Sequence, residues 1–481
     1  MAGGTFTTMS KKRPGAYINI NAPQKSVGSS DATSGVVFFI SGVGTGWGKN
    51  GVIKLNAGSN FKQAIGVDPY SDLAGVNASS TEDGATVLVD AQLASTMIGL
   101  RETLKAAQTV LFYNVNSGAK ATLTDETLPW SITAKYPGTR GNDVRISVTK
   151  NAALSEGPAS VTVTTYFGTQ QVDSQSVAKA SALASNNYAD FAVTEAATKD
   201  DGVALLAAIT SSTTQSLTGG TTDESATADT DTLINAMETQ DFNTMVSAGQ
   251  ADDAGIHTLL VTTATRLCEE EGQKVTAVVP ATIGADSEHV IAVANAVILS
   301  DGTELTVSQT CGWVAGIEAA ADVNQSLTYT AYPDAVDVAK RLTNDETEDA
   351  LSNGQLLFTV RHDGSVVIEQ DINSLHNFTA SKSADLSKNR VMRVLNDIAN
   401  NTKDTFEANF IGKVNNDATG RDLFKANRVE YLTQLASIGA IQPFEVDDIT
   451  VAAGDELDQV VVTLGIQPVD AMEKLYMTVT I

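Results

Sequence analysis

Residues 46–51 have the G-x-G-x-x-G spacing with which a dinucleotide-binding turn approaches a pyrophosphate, and Asp68 lies at about the distance of a ribose-binding acid. A true fingerprint opens a helix whose N-terminus holds the phosphates, whereas residues 52–55 (VIKL) are typical of a strand. Lys49 does not match a phosphate-loop lysine, because Asn50 stands where serine or threonine is needed. We therefore interpret the motif as a flexible glycine loop, and we predict no cofactor.

The other residues with catalytic or metal-binding potential form no recognisable motif. The acidic clusters at residues 269–271 and 345–349 lack the alternating spacing and the glycine of a calcium loop, and they are typical of solvated helix faces. Cys268 and Cys311 are the only cysteines, which excludes a disulfide framework and is typical of a reducing compartment. No zinc-ligand spacing and no G-x-S-x-G elbow accompanies the four histidines, His257, His289, His362 and His376. We predict no catalytic or metal-ligating residue, and hence no enzyme.

The length and charge of the chain restrict the class of protein. Its 481 residues correspond to about three domains at roughly 150 residues each, and they are enough for a sizeable buried core. The formal net charge of -26 repels polyanions, which argues against nucleic acid as a partner, and it predicts that moderate salt assists association between copies. No window approaches roughly 18 unbroken apolar residues and residues 1–13 lack a signal-peptide core, so we expect neither a membrane span nor secretion by signal peptide.

Helix and strand patterns alternate in two separate stretches, residues 26–127 and 218–345, which predicts one discontinuous α/β domain. In the first stretch we predict strands over 35–40 and 109–115 and a helix over 92–107. In the second we predict helices over 232–238, 257–271 and 287–300, and strands over 242–247 and 275–279. Between the two stretches, residues 128–217 consist of alternating Thr, Val and Ile segments, which predicts an inserted antiparallel β domain.

The C-terminal part of the chain, residues 346–470, is predicted to form an α+β domain. Its pattern indicates a hairpin over 356–370, then helices over 387–410 and 421–437, then two strands. The second of these strands lies beyond the domain and runs to the end of the chain. The complete prediction is therefore an α+β multidomain protein with an extended arm at each end.

Each end of the chain has the pattern of a strand that another chain could bind. In residues 1–25, a polar segment leads to a strand predicted over 16–21, and in residues 471–481 the period of two places four apolar side chains on one face. A polar or mobile leash could deliver either strand to an open sheet edge of a neighbour. The predicted intersubunit anchors are Tyr17, Ile18, Ile20, Leu475, Met477, Val479 and Ile481.

For a single arm of this kind, the free energy gained by burial and hydrogen bonding is close to the entropic cost of ordering the chain. Burying four aliphatic side chains contributes about 6 to 10 kcal/mol, whereas ordering seven residues costs about 7 to 14 kcal/mol of backbone entropy. Ladder hydrogen bonds of roughly 1 kcal/mol each offset most of the difference. Lasting attachment therefore requires many arms to be engaged at once.

Several segments without enzymatic meaning occur in order along the chain. They are MAGGTFTT at 1–8 with RPGAYIN at 13–19, AKYPGTRGND at 134–143, LTGGT at 217–221, VAGIEAA at 314–320 with SLTY at 326–329, and DAMEKLY at 470–476. Together these segments resemble those of the contractile tail sheath family of myophages and phage-tail-like bacteriocins.

The resemblance implies a structural subunit that polymerises as stacked hexameric rings around a tail tube and contracts to drive the tube through a bacterial envelope. It implies a subtilisin-like middle domain without a protease triad, an outward-facing β insert, and terminal arms that join a sheet of the C-terminal domain in neighbouring copies. The implied partners are other copies of the chain, the tail tube protein, the baseplate and the tail terminator, with neither nucleic acid nor membrane among them. The implied location is a phage virion tail or bacteriocin particle, assembled in the host cytoplasm.

Two other classes of protein stay open at this point. A tail tube or capsid protein is also acidic and free of catalytic motifs, although such proteins are usually shorter and lack these segments. A nucleotide-dependent enzyme would use the glycine loop at 46–51. Electron microscopy of the purified protein separates the structural classes by the width and contraction of any cylinder, and a thermal-shift titration with NAD and ATP tests the enzyme.

Overall fold

A seven-stranded sheet lies at the centre of the protein. The computed structural model describes residues 2–4, 15–17, 35–41, 44–70, 96–151, 160–209, 212–223, 229–380 and 382–480, with the backbone alone for 2–4 and 15–17. In spatial order the strands are β20 (Gln355–Leu356), β17 (Val290–Val293), β16 (Thr276–Pro280), β15 (Thr244–Val246), β3 (Val36–Ile40), β5 (Thr109–Asn114) and β4 (Gly51–Leu55). All neighbours run parallel except β4, which pairs antiparallel with β5. The parallel strands are apolar because helices cover both faces of the sheet.

Two helices cover each face of this sheet. One face packs on α2 (Ile98–Leu104) and α6 (Val307–Ala320), and the other packs on α4 (Thr230–Glu238) and α5 (Gly255–Glu269). A fifth helix, α1 (Phe61–Ile65), adds Phe61 and Ile65 to the first face. The two sequence stretches 35–115 and 229–356 thus build one α/β unit, because β3 and β15 are adjacent in the same sheet.

Close contact between α2 and α6 depends on glycine. A Cβ atom on Gly312 would meet the Gly99 carbonyl oxygen at 2.6 Å, and one on Gly316 would meet the Thr103 carbonyl oxygen at 2.5 Å. Any side chain at these positions would force the helices apart. The helix α6 begins with a capping box in which Thr306 and Gln309 satisfy each other's backbone N–H groups.

Residues 122–216 form a separate β domain inserted between the two parts of the sheet. One of its sheets has four strands and the other has three, and their inner faces share a core that includes Trp130, Ile146 and Val163. A short helix, α3 (Val203–Ala208), contributes Leu206 to this core. The four-stranded sheet consists of β11 (Gln170–Val177), β10 (Val161–Phe167), β9 (Val144–Lys150) and β13 (Thr213–Ser216), and the three-stranded sheet of β12 (Ala189–Val193), β8 (Trp130–Ala134) and β7 (Thr122–Thr124).

The C-terminal domain is built on two long helices, α8 (Asn389–Asn409) and α9 (Ala418–Ser437). Ile398, Leu432 and Leu435 pack the helices together and against a hairpin that follows them. The remaining helix is α7 (Asn344–Ser352), and the remaining strand pairs are β1 (Ala2–Gly4) with β2 (Gly15–Tyr17), β6 (Gly118–Ala119) with β14 (Thr221–Thr222), β18 (Val297–Leu299) with β19 (Ala335–Val338), β21 (Phe358–Val360) with β22 (Val366–Ile368), and β23 (Ile449–Ala453) with β24 (Val460–Leu464). Among the described residues, none of the helices combines the length and hydrophobicity needed to cross a membrane.

The structure corrects one sequence prediction, adds one helix, and shows one predicted strand unformed in the single chain. The helix predicted over 287–300 is wrong, because this run contains β17 and β18; it is apolar at nearly every position, and such a run does not distinguish a buried strand from a helix. The helix α6 is not predicted by periodicity, because it is buried on almost all sides and has no polar face. The last predicted strand, over 475–481, is absent from the single chain, where described residues 471–480 form no strand.

Candidate intersubunit surface

The glycine loop at 46–51 connects two domains and does not open a helix. Trp47 is fully buried in the core of the β domain, and its indole N–H donates to the Gln63 carbonyl oxygen at 3.0 Å. The Asn114 side chain, on a strand of the central sheet, donates to the Trp47 carbonyl oxygen at 2.8 Å. A Cβ atom on Gly138 would meet the Gly46 carbonyl oxygen at 2.0 Å. The loop therefore serves as a packing junction, and the strand β4 follows it as predicted.

The candidate chemical groups are dispersed or buried. His257 and His289 lie in the interior, and burial lowers the pKa of each imidazole. Burial also raises the pKa of the Cys268 thiol to about 11, so this thiol is unreactive at neutral pH. Within the described part of the chain, no three His, Cys, Asp or Glu side chains are grouped so that they could hold a metal ion.

The described part of the C-terminal arm, residues 471–480, lies on the surface of the single chain. Of the anchors predicted there, Leu475, Met477 and Val479 are 86%, 74% and 73% exposed. Tyr476 between them is 90% exposed, and Ile481 lies outside the described residues. A run of large apolar side chains left in water is typical of a surface that another chain covers.

Glu473 attaches the base of this arm to the subunit. Its carboxylate accepts hydrogen bonds from the Thr328 hydroxyl at 2.8 Å and from the Gln370 amide at 2.7 Å, and it forms an ion pair with Lys388. Burial by itself would raise the pKa of Glu473, but these hydrogen bonds outweigh burial and lower the pKa below its ordinary value of 4.5. The chain is thus fixed at Glu473 and leaves the subunit directly after it.

A buried ionic cluster lies directly behind this attachment. The Thr328 hydroxyl oxygen, which donates to Glu473, accepts the Asp371 backbone N–H at 3.0 Å. The Asp371 carboxylate pairs with Arg393, which also donates to Glu318 at 2.8 Å and 3.2 Å. Burial raises the pKa of Glu318, and the two carboxylates raise the pKa of Arg393 against the effect of burial. Because Glu318 is on α6 and Arg393 is on α8, the cluster joins the central sheet to the C-terminal domain.

Among the residues that the structure describes, the hairpin β23–β24 is a two-stranded sheet with an unpaired edge on each side. One surface packs on α9, with Ile449 buried, whereas Val461 and Val462 are both exposed although they point to opposite faces. Two-stranded sheets are marginal by themselves, and unpaired edges with apolar side chains attract further strands. The hairpin is therefore a suitable acceptor for a strand from another copy.

The N-terminal arm is described only in part. The backbone of β2, which ends at Tyr17, pairs in parallel with β1, and no pairing with another sheet is present among the described residues. The other two predicted anchors of this arm, Ile18 and Ile20, lie outside the described residues. The intersubunit role of these three residues stays a prediction.

Comparison with known proteins gives the family. Models of the phage tail sheath protein match three consecutive parts of the chain: the beta-sandwich domain at residues 115–225, the central domain at 219–374 and the C-terminal domain at 381–481. The phage-like element PBSX protein XkdK of Bacillus subtilis is 33% identical over 500 aligned positions, which cover 100% of both chains. The chain belongs to the phage tail sheath family. The family resemblance seen in the sequence segments is thereby confirmed.

Solved structures agree with this assignment to the sheath family. The sheath tail protein of Listeria innocua is 32% identical, with a TM-score of 0.74 over 93% of this chain and 94% of that chain. The helical sheath of the anti-feeding prophage in its contracted state matches 98% of this chain and 99% of that chain, with a TM-score of 0.53. At 12% identity the second likeness is one of fold alone. The protein is a tail sheath subunit with a mixed α+β multidomain fold.

Two features of this sheath subunit are missing from the sequence predictions. Glu473 and Glu318 lie within the family segments at 470–476 and 314–320, but a segment match assigns no role to a single carboxylate. An available signal for the cluster is Arg393, a charged residue between the apolar Met392 and Val394 on a helix. The hairpin acceptor is the second missing feature, because the sequence predicts a single strand between residue 437 and the arm, whereas the structure has two, β23 and β24.

Proposed function

We propose that this sheath protein polymerises as stacked hexameric rings around a tail tube and contracts to drive the tube through a bacterial envelope. In this proposal the terminal arms add strands to the C-terminal domains of neighbouring copies and stay paired while other contacts exchange. The partners are other copies of the chain, the tail tube protein, the baseplate and the tail terminator. The particle is a virion tail or a bacteriocin, assembled in the host cytoplasm. No catalytic role is proposed.

One observation carries the proposal. The C-terminal region contains both an exposed apolar arm, which needs a sheet to bind, and a hairpin with open edges, which can accept a further strand. Leu475, Met477 and Val479 alternate along the arm, as a strand on a sheet surface requires. The hairpin offers unpaired backbone groups and exposed valines. Joined between copies rather than within one, these parts form a continuous mesh.

The domain assignments support the same proposal. We propose that residues 128–217 face outward, that 346–470 form the inner domain, and that the discontinuous unit 26–127 and 218–345 has a subtilisin-like arrangement. The mostly parallel sheet with helices on both faces supports the last point. A conserved chemistry does not follow from that arrangement, since fold alone does not define function.

The decisive experiment changes side chains of the C-terminal arm and leaves the folded domains of the subunit unchanged. Replacing Leu475, Met477 and Val479 together with serine removes the apolar face of the predicted strand. We expect the folded monomer to keep its stability, because all three side chains are exposed. The critical concentration for polymerisation should rise at least about tenfold, which corresponds to about 1.4 kcal/mol per subunit. Sedimentation velocity and negative-stain microscopy measure this.

The matched control replaces the alternate residues Thr478 and Thr480 with serine, and we expect its critical concentration to stay within about twofold of the unmodified protein. Deletion of residues 472–481 is the harsher variant and should leave folded monomers that do not polymerise. Sheaths of normal length from the deletion variant would refute the role of the arm.

A further inference from the structure

The charge of the chain is unevenly distributed between two segments that the proposed function brings together. Residues 1–30 contain four basic side chains and no acidic one, although the whole chain has a net charge of -26. Three of the four are consecutive, namely Lys11, Lys12 and Arg13. Residues 429–473, which include the hairpin β23–β24, contain nine acidic side chains and neither lysine nor arginine. The two segments are therefore of opposite charge.

The turn of the hairpin presents three of these carboxylates to solvent. Asp455, Glu456 and Asp458 are exposed, and within the described residues their side chains form neither a hydrogen bond nor an ion pair. The turn itself is held in place, because the Asn416 side chain donates to the Leu457 and Gln459 carbonyl oxygens at 2.9 Å and 2.8 Å. Three free carboxylates thus project from a fixed backbone, next to two strand edges that no other described strand pairs with.

We propose that this acidic turn, Asp455, Glu456 and Asp458, binds the basic residues Lys11, Lys12 and Arg13 in the N-terminal arm of another copy. The inference rests on the proposed function and adds to it the feature that selects the arm. Strand pairing through backbone hydrogen bonds carries little sequence information, so an open edge accepts many strands. Opposite charges beside that edge favour the correct arm and disfavour the acidic remainder of the sheath surface.

The spacing along the arm suits this contact. The predicted strand at 16–21 begins three residues after Arg13. In an extended arm, which rises about 3.3 Å per residue, the basic residues would lie roughly 10 to 17 Å before the strand. A five-residue strand such as β23 or β24 is about 17 Å long. An arm that pairs with the hairpin and points its N-terminal side toward the turn would therefore carry the basic residues past the strand ends, on the side of the three carboxylates.

Salt alone does not isolate this attraction, because it also screens the overall repulsion between acidic subunits. Reversing the charges of the basic residues isolates the attraction, because a control variant can change the net charge by the same amount elsewhere. The variant K11E/K12E/R13E should raise the critical concentration for polymerisation about tenfold, the effect of three surface ion pairs of ordinary strength. The control K120E/K179E/K199E changes the net charge equally, on exposed lysines in the β domain or directly before it, and should assemble like the unmodified protein.

The compensating variant carries K11E/K12E/R13E together with D455K/E456K/D458K in the full chain. We expect it to assemble within about twofold of the unmodified protein by sedimentation velocity. The inference is overturned if the first variant behaves like the control, or if the compensating variant assembles no better than the first. Either result leaves the proposed function intact as long as deletion of residues 472–481 abolishes polymerisation. If that deletion has no effect, the proposed function itself fails.

Discussion

The central α/β domain buries its large apolar side chains within a single chain, whereas the C-terminal hairpin and its arm leave theirs exposed. In the central domain, Trp313 stacks on Tyr332 with ring centroids 4.2 Å apart, and both side chains are almost fully buried. In the C-terminal region, Leu457 and Tyr476 are 97% and 90% exposed. The central core needs no other copy to exclude water, whereas the hairpin and arm expose apolar groups that only a second chain can cover. Stability and assembly are therefore encoded in different parts of the molecule.

The sharpest test of this difference compares two aromatic residues. Trp313→Ala should lower the free energy of unfolding by about 4 kcal/mol, because it leaves a cavity in a closed core. Tyr476→Ala, which removes an aromatic side chain of similar size from the exposed arm, should leave the unfolding free energy unchanged. Urea denaturation of the monomers followed by circular dichroism measures both. Equal losses of unfolding free energy in the two variants would contradict the view that the central core is closed in one chain and the arm is not.

A somewhat smaller effect is expected from the cluster that joins the two regions. Arg393→Ala leaves the Glu318 and Asp371 carboxylates buried without their cation, and should destabilise the monomer by about 3 kcal/mol. As a control, Arg341→Ala removes an exposed ion pair with Asp337 and should cause no measurable loss. Urea denaturation again provides the measurement. If Arg393→Ala is as stable as the control, the cluster does not couple the domains energetically.

The smallest effect concerns the attachment of the arm and depends on pH. The pKa of Glu473 is lower in the folded protein than its ordinary value of 4.5, so its contribution is complete above that pH and is lost as the pH falls through the folded value. A spin label on Leu475→Cys should report an arm that becomes more mobile below about pH 4.5. The label is selective because both native cysteines are buried.

Glu473→Gln supplies the control for this titration. A neutral amide at position 473 does not titrate and binds the Lys388 ammonium less strongly, so the label should be mobile at every pH tested. The expected cost of the substitution is about 1 kcal/mol. A pH-dependent signal that persists in Glu473→Gln would assign the titration to another group.

Much of the fold follows from local sequence patterns. The helices near 232–238 and 421–437 and the β character of 128–217 are confirmed, because apolar residues with period 3.6 or 2 report directly on a half-buried element. The strands near 35–40 and 109–115 are confirmed as short apolar runs, although they are buried on both faces. A longer apolar run that is buried on all sides has no such signal. Residues 290–299 and the helix α6 are of this kind, since no polar face indicates their period.

The candidate surface was accessible to sequence reasoning only in part. The period-two pattern at 475–479 identifies apolar side chains that the structure indeed leaves exposed. Pairing between distant segments, such as the contact of Glu473 with Thr328 and Lys388, depends on the tertiary fold and has no local signal. The uneven charge of residues 1–30 and 429–473 is visible in the sequence, but it acquires meaning only once the acidic run is seen to border an open sheet edge.

The hydrogen-bonded path from Glu473 through Thr328 to Asp371 and Arg393 has a mechanical consequence. Tension applied along the C-terminal arm reaches Glu473 first, and from there it passes to charged groups held between α6 and α8. The force is thus borne by the junction of two domains rather than by a surface loop that could peel away. If a neighbouring copy holds the arm as proposed, a pull on it would act on both domains together.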